Sequence, residues 1–592
     1  MHVILCSCLV HVLVEYSCCP YKKAFLSMLT VVYVDENVHL LAKIETHFPV
    51  EDSVQYTGNS VQFSNLLWLL LRRMPPLPSP AIKSLASAWA VPLTTIFNSV
   101  LGSCHWPSAW KEESTTMIPK GKKGGPRLVA HLRPIALTPI FSKVLEGIVR
   151  LDILDDIRAK LDGNQYGGMK GSSPEHYMSG LLQDIFNMKE KNLVPVLLMW
   201  DFSAAFTSMQ HQQVLASAAD LNLRQPLLRL LASYLSGRTT VVRWGEAASS
   251  ARPCRGGSGQ GTLLSVILFV IAVDQLIKQL KAKIRELEGP VQHDGVAAVR
   301  LFVDDSAVLL TVDPAKLPVD AQGRRVWRDV DGRVAAYCSV VESFSASTGM
   351  RLNQSKTEAL VFDPSIVFPL ELRPDKNGVR KPVQILESAL GQKIVRVPSA
   401  KLLGIVLETG LKFNDFVAKK TSSAHKALWG LRRIKQHKVT AAHLTSAYIS
   451  YVCSTLEFGM SAIWPCLTRQ NVEALERVQK QATKIILDTG WTPVCPNYVA
   501  YEERLRRLGL QKLSDRWQET LNRFALKIEF DDRFSRYIQR RFVQSLRDPA
   551  PYFLTTVSSA RSNSTPLRAA IRYLNSLQTS PEKRKAAAAK KR

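Results

Sequence analysis

The chain has 592 residues, 46% of them hydrophobic and 21% charged. That is ordinary globular usage, and it excludes a mostly disordered, collagenous or coiled-coil protein. At about 150 residues per domain it holds roughly four domain-sized units, enough to bury a core without disulfide or metal staples. The 77 Lys and Arg residues stand against 50 Asp and Glu, a net charge of +27. So large a surplus favours a polyanionic partner, either nucleic acid or an acidic membrane surface.

Residues 1–79 carry no chemistry that the sequence names. Met1–Val14 is apolar but too short to span a bilayer and has no basic flank, so no signal peptide and no membrane partner are expected. Met74–Pro80 reads as a linker or helix stop. From Ala81 to Leu101 apolar residues recur at helical spacing. A basic, turn-rich stretch follows at Pro119–Arg127, then a helix over 137–160 with Ile140, Val144 and Ile148 on one face. Val194–Trp200 is an apolar run of strand length that ends at Asp201, and Leu263–Leu276 reads as a buried helix. Val299–Phe302 and Ala307–Thr311 flank Asp304-Asp305 in a hairpin-like pattern. Strands mixed with helices in this way predict an α+β fold, a small sheet covered by helices on one face. Beyond residue 412 the chain turns helical and basic. Phe416–Lys435 sets lysines and arginines beside Leu428, Leu431 and Ile434. Leu444–Trp464 reads as one buried, aromatic-rich helix, and Val472–Ile485 carries an apolar stripe. Pro581–Arg592 reads as a disordered basic tail. The ten cysteines are scattered without metal-ligand spacing, which predicts a reduced, intracellular protein.

Three carboxylates stand out. Asp201 ends a buried strand, and Asp304 and Asp305 sit between two apolar runs. Charges at such places are unfavourable unless paired or bound to a cation. Mg²⁺ prefers hard carboxylate oxygens, and two such ions about 4 Å apart stabilise the attacking and leaving oxygens of an in-line phosphoryl displacement. Asp-Asp alone also makes a good hairpin turn. Between these aspartates, Gly256–Ser265 forms a Gly-rich loop opening an apolar helix. Such a loop brings backbone and the Gln260 amide close to a base or phosphate. Lys120 and Arg133 precede a helix, either to neutralise a triphosphate or as solvated surface charge.

The motifs in their order resemble the reverse transcriptases of non-LTR (long-interspersed-element type) retrotransposons. The matching segments are 110–120 (WKEESTTMIPK), 132–139 (LRPIALTP), 165–173 (QYGGMKGSS), 201–206 (DFSAAF) and 257–269 (GSGQGTLLSVILF). They continue with 302–305 (FVDD), 348–357 (TGMRLNQSKT) and 402–407 (LLGIVL). Eight motifs in one order are far more specific than any one of them. The resemblance implies a right-hand polymerase: fingers over 80–195, a palm with a small antiparallel sheet over 196–412, a helical thumb and connection over 413–540, and a C-terminal region over 541–592. It implies that Asp201, Asp304 and Asp305 hold two Mg²⁺ ions, with Mn²⁺ able to substitute. Lys356 would protonate the leaving pyrophosphate. Lys120, Arg133, Phe206, Gln260 and Gly261 would bind the incoming deoxynucleoside triphosphate. Phe206 would exclude a 2′-hydroxyl. Leu402, Leu403 and Gly404 would meet the primer end. Lys419, Lys420, Lys426, Arg432 and Arg433 would follow the duplex backbone of RNA template and DNA primer.

Four positions depart from the usual wording: Thr207, Gly259, Val266 and Val303. Gly259 and Val266 stand where the family often has proline, so the Gly-rich loop is expected to be looser. The implied function is RNA-directed DNA polymerase. The alternatives are a catalytically inactive, nucleic-acid-binding remnant and an RNA-dependent RNA polymerase. No endonuclease motif set precedes the polymerase, so the chain is expected either to be part of a larger product or to rely on a partner for target nicking in trans. The basic tail favours the nucleus over the cytoplasm.

Overall fold

The computed structural model describes residues 86–120, 132–169, 171–203, 205–288, 297–303, 305–328, 332–353, 356–374, 380–387, 393–490, 492–539 and 560–578, with single positions at 552, 554 and 557. The N-terminal segment, the Met74–Pro80 linker, most of the basic turn after Lys120, Asp304, Trp491 and the basic tail lie outside the described residues. The chain forms two compact units. One comprises residues up to Leu161 with Ala204–Asp274 and Ser347–Met350; the other comprises Asp162–Ser203, Gln275–Ala346 and Arg351 onward. They cut across the sequence segments 80–195, 196–412 and 413–540, because the chain returns to each unit more than once.

The first unit is built on a sheet in the order Leu132–Leu137, Glu112–Pro119, Thr239–Trp244, Ala247–Ala248, with Arg252–Pro253 also pairing to Thr239–Trp244. The first pair is antiparallel, and Glu112–Pro119 runs parallel to Thr239–Trp244. Helices Ala86–Ser103, Ile140–Ile157 and Gln225–Leu235 belong to this unit. Trp106 is fully buried, edge-on to Tyr234 at 4.8 Å, a geometry that ring quadrupoles favour. The helix expected to end at Leu276 runs from Leu263 to Glu288. Among the described residues it alone is long and apolar enough to cross a membrane, and most of its apolar stretch is buried within the protein.

The second unit holds a seven-stranded sheet in the order Leu370–Pro374, Arg380–Glu387, Lys393–Arg396, Glu358–Val361, Val194–Trp200, Asp305–Val312, Ala297–Phe302. Its last four strands are antiparallel, as expected. The sheet is larger than the sequence indicated, and Glu358–Val361 meets Lys393–Arg396 in parallel. Val194–Leu198 is buried at every residue, because this strand has neighbours on both edges and packs beneath helix Pro174–Glu190. That burial explains an unbroken apolar run in place of alternation.

The same hydrophobic core continues into helices Asn414–Gln436 and Arg469–Leu487. Leu444–Trp464 is not one helix. It divides into Ala441–Ala447, a π-helical turn at Tyr448–Cys453, Ser454–Glu457 and Met460–Ile463. Gly459 takes φ +77° at the last break, a conformation that costs glycine nothing and other residues about 1 kcal/mol or more. Apolar content alone did not reveal that corner. Helices Leu513–Ile528 and Pro566–Gln578 form a further cluster around Phe524, Phe534 and Leu567.

Candidate active site

The second unit brings Asp201 and Asp305 together through sheet register. Trp200 pairs with Ser306, so one further step along the antiparallel ladder sets Asp201 opposite Asp305. Both lie where buried strands emerge: Trp200 and Ser306 are buried, Asp201 is about one-third exposed and Asp305 is exposed. The hairpin ladder closes at Phe302 and Asp305. Val303 follows Phe302 in the left-handed region at φ +57°. A two-residue hairpin loop favours positive φ there, but a β-branched residue makes it cost on the order of 1–3 kcal/mol.

What holds that strained turn was not legible from the aspartates. A Cβ on Gly167 would meet Val303 Cγ2 at 2.4 Å and Val303 N at 2.5 Å, so only glycine lets the turn pack there. Gln165 Oε1 accepts hydrogen bonds from Gly167 N at 3.0 Å and Val303 N at 3.3 Å. Tyr166 N donates to Leu301 O, and Leu301 N donates to Asn164 O. The segment 164–167 therefore buttresses the hairpin that carries Asp305. Its motif was visible in the sequence, but its role was not. Behind the hairpin, the fully buried Arg300 donates to Asp184 Oδ2 at 2.5 Å, Tyr166 Oη at 2.6 Å and Tyr537 Oη at 2.9 Å. Tyr537 in turn donates to Asp184 Oδ1 at 2.7 Å.

Lys356 joins the same site. Its Nζ donates to Asp201 Oδ2 at 2.7 Å, while Asn353 N donates to Asp201 O at 2.8 Å. Lys356 itself is held by its N–H to Asn353 O at 3.0 Å. The Lys356 ammonium sits on the oxygen a cation would take. Hard carboxylate oxygens at adjoining strand ends, with no soft ligand beside them among the described residues, suit a divalent cation of the Mg²⁺ kind.

The nearby primer-contact candidates separate by environment. Leu403 and Gly404 form the two-residue turn between Ser399–Leu402 and Ile405–Glu408, both at positive φ. Leu402 is buried in the core, so its side chain is not available to a primer. Lys419, Lys426, Arg432 and Arg433 are exposed on one long helix. Lys420 is a correction to the expected basic face: it points inward. Its Nζ donates to Thr455 O at 2.6 Å and lies over the Phe416 and Phe458 rings at 4.9 and 5.2 Å. Burial lowers its pKa to about 8. At helical spacing it falls beside Phe416 and Ala424, on the buried side.

The first unit carries the other candidates. Lys120 is exposed just past the end of Glu112–Pro119, and Arg133 is exposed on the partner strand, in register with Ile118. Ala136 N donates to Gln260 O at 2.8 Å, tying the Gly-rich loop to that strand. Gly261 has φ +116°, and a Cβ there would meet Ala136 O at 2.9 Å. Gly259 is also required: its Cβ would meet Ala136 Cβ at 2.4 Å and Glu113 Oε2 at 2.8 Å. At 259, where a stiffening proline ring is missing, the loop packs closely against Ala136 and Glu113. Gly257 N donates to Met209 O, Ser258 N to Phe206 O, and the His211 ring bonds Gly257 O, all between 2.6 and 2.8 Å.

Two residues of this unit were missed. The Phe206 ring rests on Phe269 with centroids 4.9 Å apart, so Phe269 fixes its position. Glu146, fully buried, accepts from Leu263 N at 2.7 Å and Ser142 Oγ at 3.1 Å. It caps the helix that the Gly-rich loop opens, where a carboxylate also meets the favourable helix dipole. Burial raises its pKa, and the Leu263 N–H partly offsets that rise.

Residues 118–407 match the reverse transcriptase (RNA-dependent DNA polymerase) family, whose right-hand polymerase fold is the one expected. The chain is 23% identical over 468 residues to the Drosophila melanogaster "Probable RNA-directed DNA polymerase from transposon BS", covering 77% of this chain and 47% of that protein. It is 23% identical over 447 residues to the "RNA-directed DNA polymerase from mobile element jockey" of the same fly, covering 74% and 43%. The chain thus spans less than half the length of these relatives. Among solved structures, apo telomerase from Candida tropicalis aligns with a TM-score of 0.36 at 10% identity, over 71% of this chain and 66% of that one.

Proposed function

This chain carries a reverse transcriptase domain of the non-LTR retrotransposon kind, and on that premise we propose that it extends a primer 3′-hydroxyl with deoxynucleoside triphosphates along an RNA template. The supporting observation is the register that sets Asp201 opposite Asp305, with Lys356 on the Asp201 carboxylate. In this reading Asp201, Asp304 and Asp305 hold two Mg²⁺ ions, with Mn²⁺ as a substitute. Bound metal supplies charge stabilisation to the entering and leaving oxygens of the displacement. The primer 3′-hydroxyl loses its proton to solvent as its oxygen bonds to the α-phosphorus, the bond to pyrophosphate breaks, and Lys356 Nζ gives its proton to the pyrophosphate oxygen.

Lys120 and Arg133 neutralise the triphosphate, and Gln260 and Gly261 line the nascent pair through the loop backbone. Phe206, backed by Phe269, presents a ring against the sugar and selects deoxynucleotides. Lys419, Lys426, Arg432 and Arg433 follow the duplex phosphates. The primer end is a DNA 3′-hydroxyl. The basic tail directs the chain to the nucleus, which a fluorescent fusion lacking residues 581–592 tests by losing nuclear signal.

The deciding experiment is primer extension on an oligonucleotide-primed RNA template with deoxynucleotides and Mg²⁺. Extension by the wild type and none by the Asp304→Ala/Asp305→Ala variant supports the reading. Full extension by that variant refutes the metal assignment, and equal use of ribonucleotides refutes the DNA product.

A further inference from the structure

Beyond the matched domain, the second unit contains a cleft of about 930 Å³. It lies among the Trp464–Cys466 turn, helix Leu513–Ile528 and helix Pro566–Gln578. Its volume falls within the range of sites that enclose a ligand of nucleotide size. Trp464 and Tyr573 supply aromatic surface, Arg469 and Arg572 supply guanidinium groups, and Gln518 and Asn522 supply amides. No carboxylate is among its described lining residues.

The polar groups are arranged rather than merely present. Arg572 is aimed by its neighbours: Nη1 donates to Asn563 Oδ1 at 2.9 Å and Nη2 to Asn563 O at 2.8 Å. Gln518 Nε2 donates to Asn522 Oδ1 at 2.9 Å. That bond orients Gln518 Oε1 and Asn522 Nδ2 as an acceptor and a donor one helical turn apart. Arg469 is almost fully exposed at the rim and pairs with Glu473 at 3.2 Å, a surface pair too weak to withhold its charge from an anion.

Aromatic walls, guanidinium groups and an amide donor–acceptor pair are the means by which proteins hold unpaired bases and their phosphates. We propose that this cleft binds an unpaired nucleotide of single-stranded RNA, the base stacked on the aromatic wall and the phosphate on Arg572 and Arg469. Single-stranded DNA shares that chemistry. The choice of RNA rests on the reading of the chain as an RNA-templated polymerase, while the site itself does not depend on catalysis.

The test uses the full chain carrying Asp304→Asn and Asp305→Asn, so that nothing is extended. A short single-stranded RNA containing 4-thiouridine is photo-crosslinked to it, and the adducts are mapped by mass spectrometry. A matching single-stranded DNA with 4-thiothymidine and an RNA duplex run in parallel. Adducts on residues 464–469 or 573, with Tyr573→Ala weakening single-strand binding about tenfold while duplex binding is unchanged, support the site. Asn522→Ala, on a partly exposed helix face, gives a smaller loss in the same direction and guards against misfolding of the tyrosine variant. Adducts confined to other segments, with both variants binding as the parent does, overturn the site. Equal crosslinking by DNA overturns the choice of RNA. Primer extension by the wild type reports separately on the polymerase reading.

Discussion

Gly259→Ala is the sharpest test of how the Gly-rich loop is held. The new methyl would stand 2.4 Å from Ala136 Cβ and 2.8 Å from Glu113 Oε2, against about 3.5–4.0 Å for carbon atoms at rest. Relief requires either strand Leu132–Leu137 or the Glu113 carboxylate to move. The strand is tied to the loop by Ala136 N to Gln260 O at 2.8 Å. Glu113 is buried in an ion pair with Arg238 at 3.2 Å. Overpacking alone costs about 1–3 kcal/mol, and separating a buried pair costs about 3–5 kcal/mol. The stiffer unfolded chain returns about 0.4–1 kcal/mol. If the strand gives way and the ion pair holds, the expected net loss is about 1–2 kcal/mol, read as a shift of the urea midpoint at unchanged slope. Proline at this position meets the same neighbours and should also destabilise, despite being the family's usual residue. Ala136→Gly removes the opposing methyl and should recover at least half the loss in the double variant, a coupling that a double-mutant cycle isolates. If Gly259→Ala is as stable as the wild type, or if Ala136→Gly gives no rescue, the packing argument is wrong.

Three further outcomes follow from the geometry. Phe206→Ala should lower the preference for deoxynucleotides over ribonucleotides by about tenfold or more, and Phe269→Ala by less, since it acts by supporting the ring; competitive incorporation assays read both. Burial first, and then the nearby Arg533 charge, lower the His176 pKa to about 4. The unfolded chain, near 6.5, binds more protons between these values. Stability is thus full above pH 6.5 and declines as pH falls toward 4, by up to about 3 kcal/mol; urea titrations at both ends should show that decline flattened in His176→Phe, and parallel declines would refute it. Substituting Lys419, Lys426, Arg432 or Arg433 by Gln should each make the salt dependence of duplex binding shallower, by about 0.9 in slope for every phosphate no longer neutralised. Lys420→Met should leave the slope unchanged, because that ammonium faces Thr455 and two rings.

The strand ending at Asp201, the hairpin around Asp304-Asp305 and the long basic helix were legible because hydrophobic periodicity and motif order are local properties of the sequence. Val194–Trp200 appeared as an unbroken apolar run, and the structure gives it with the same bounds. The supports of the site were not legible. Gln165 and Gly167 act on Val303 from about 136 residues away in the chain, and Glu146 caps a helix that begins at Leu263. Nothing in their local sequence marks the partner. Lys420 read as one more charge on a basic helix, since composition does not say which face turns inward.

By itself, the sequence determined the α+β class, the order of the motifs and the residues proposed to hold metal, triphosphate and primer. It did so because side-chain chemistry and periodicity are fixed along the chain. Only the tertiary structure decided that Asp201 lies opposite Asp305, that Gly259 is demanded by Ala136 and Glu113, and that Lys420 is buried. Those outcomes depend on sheet register and close packing between distant segments, where a shift of one residue or one methyl group reverses the result.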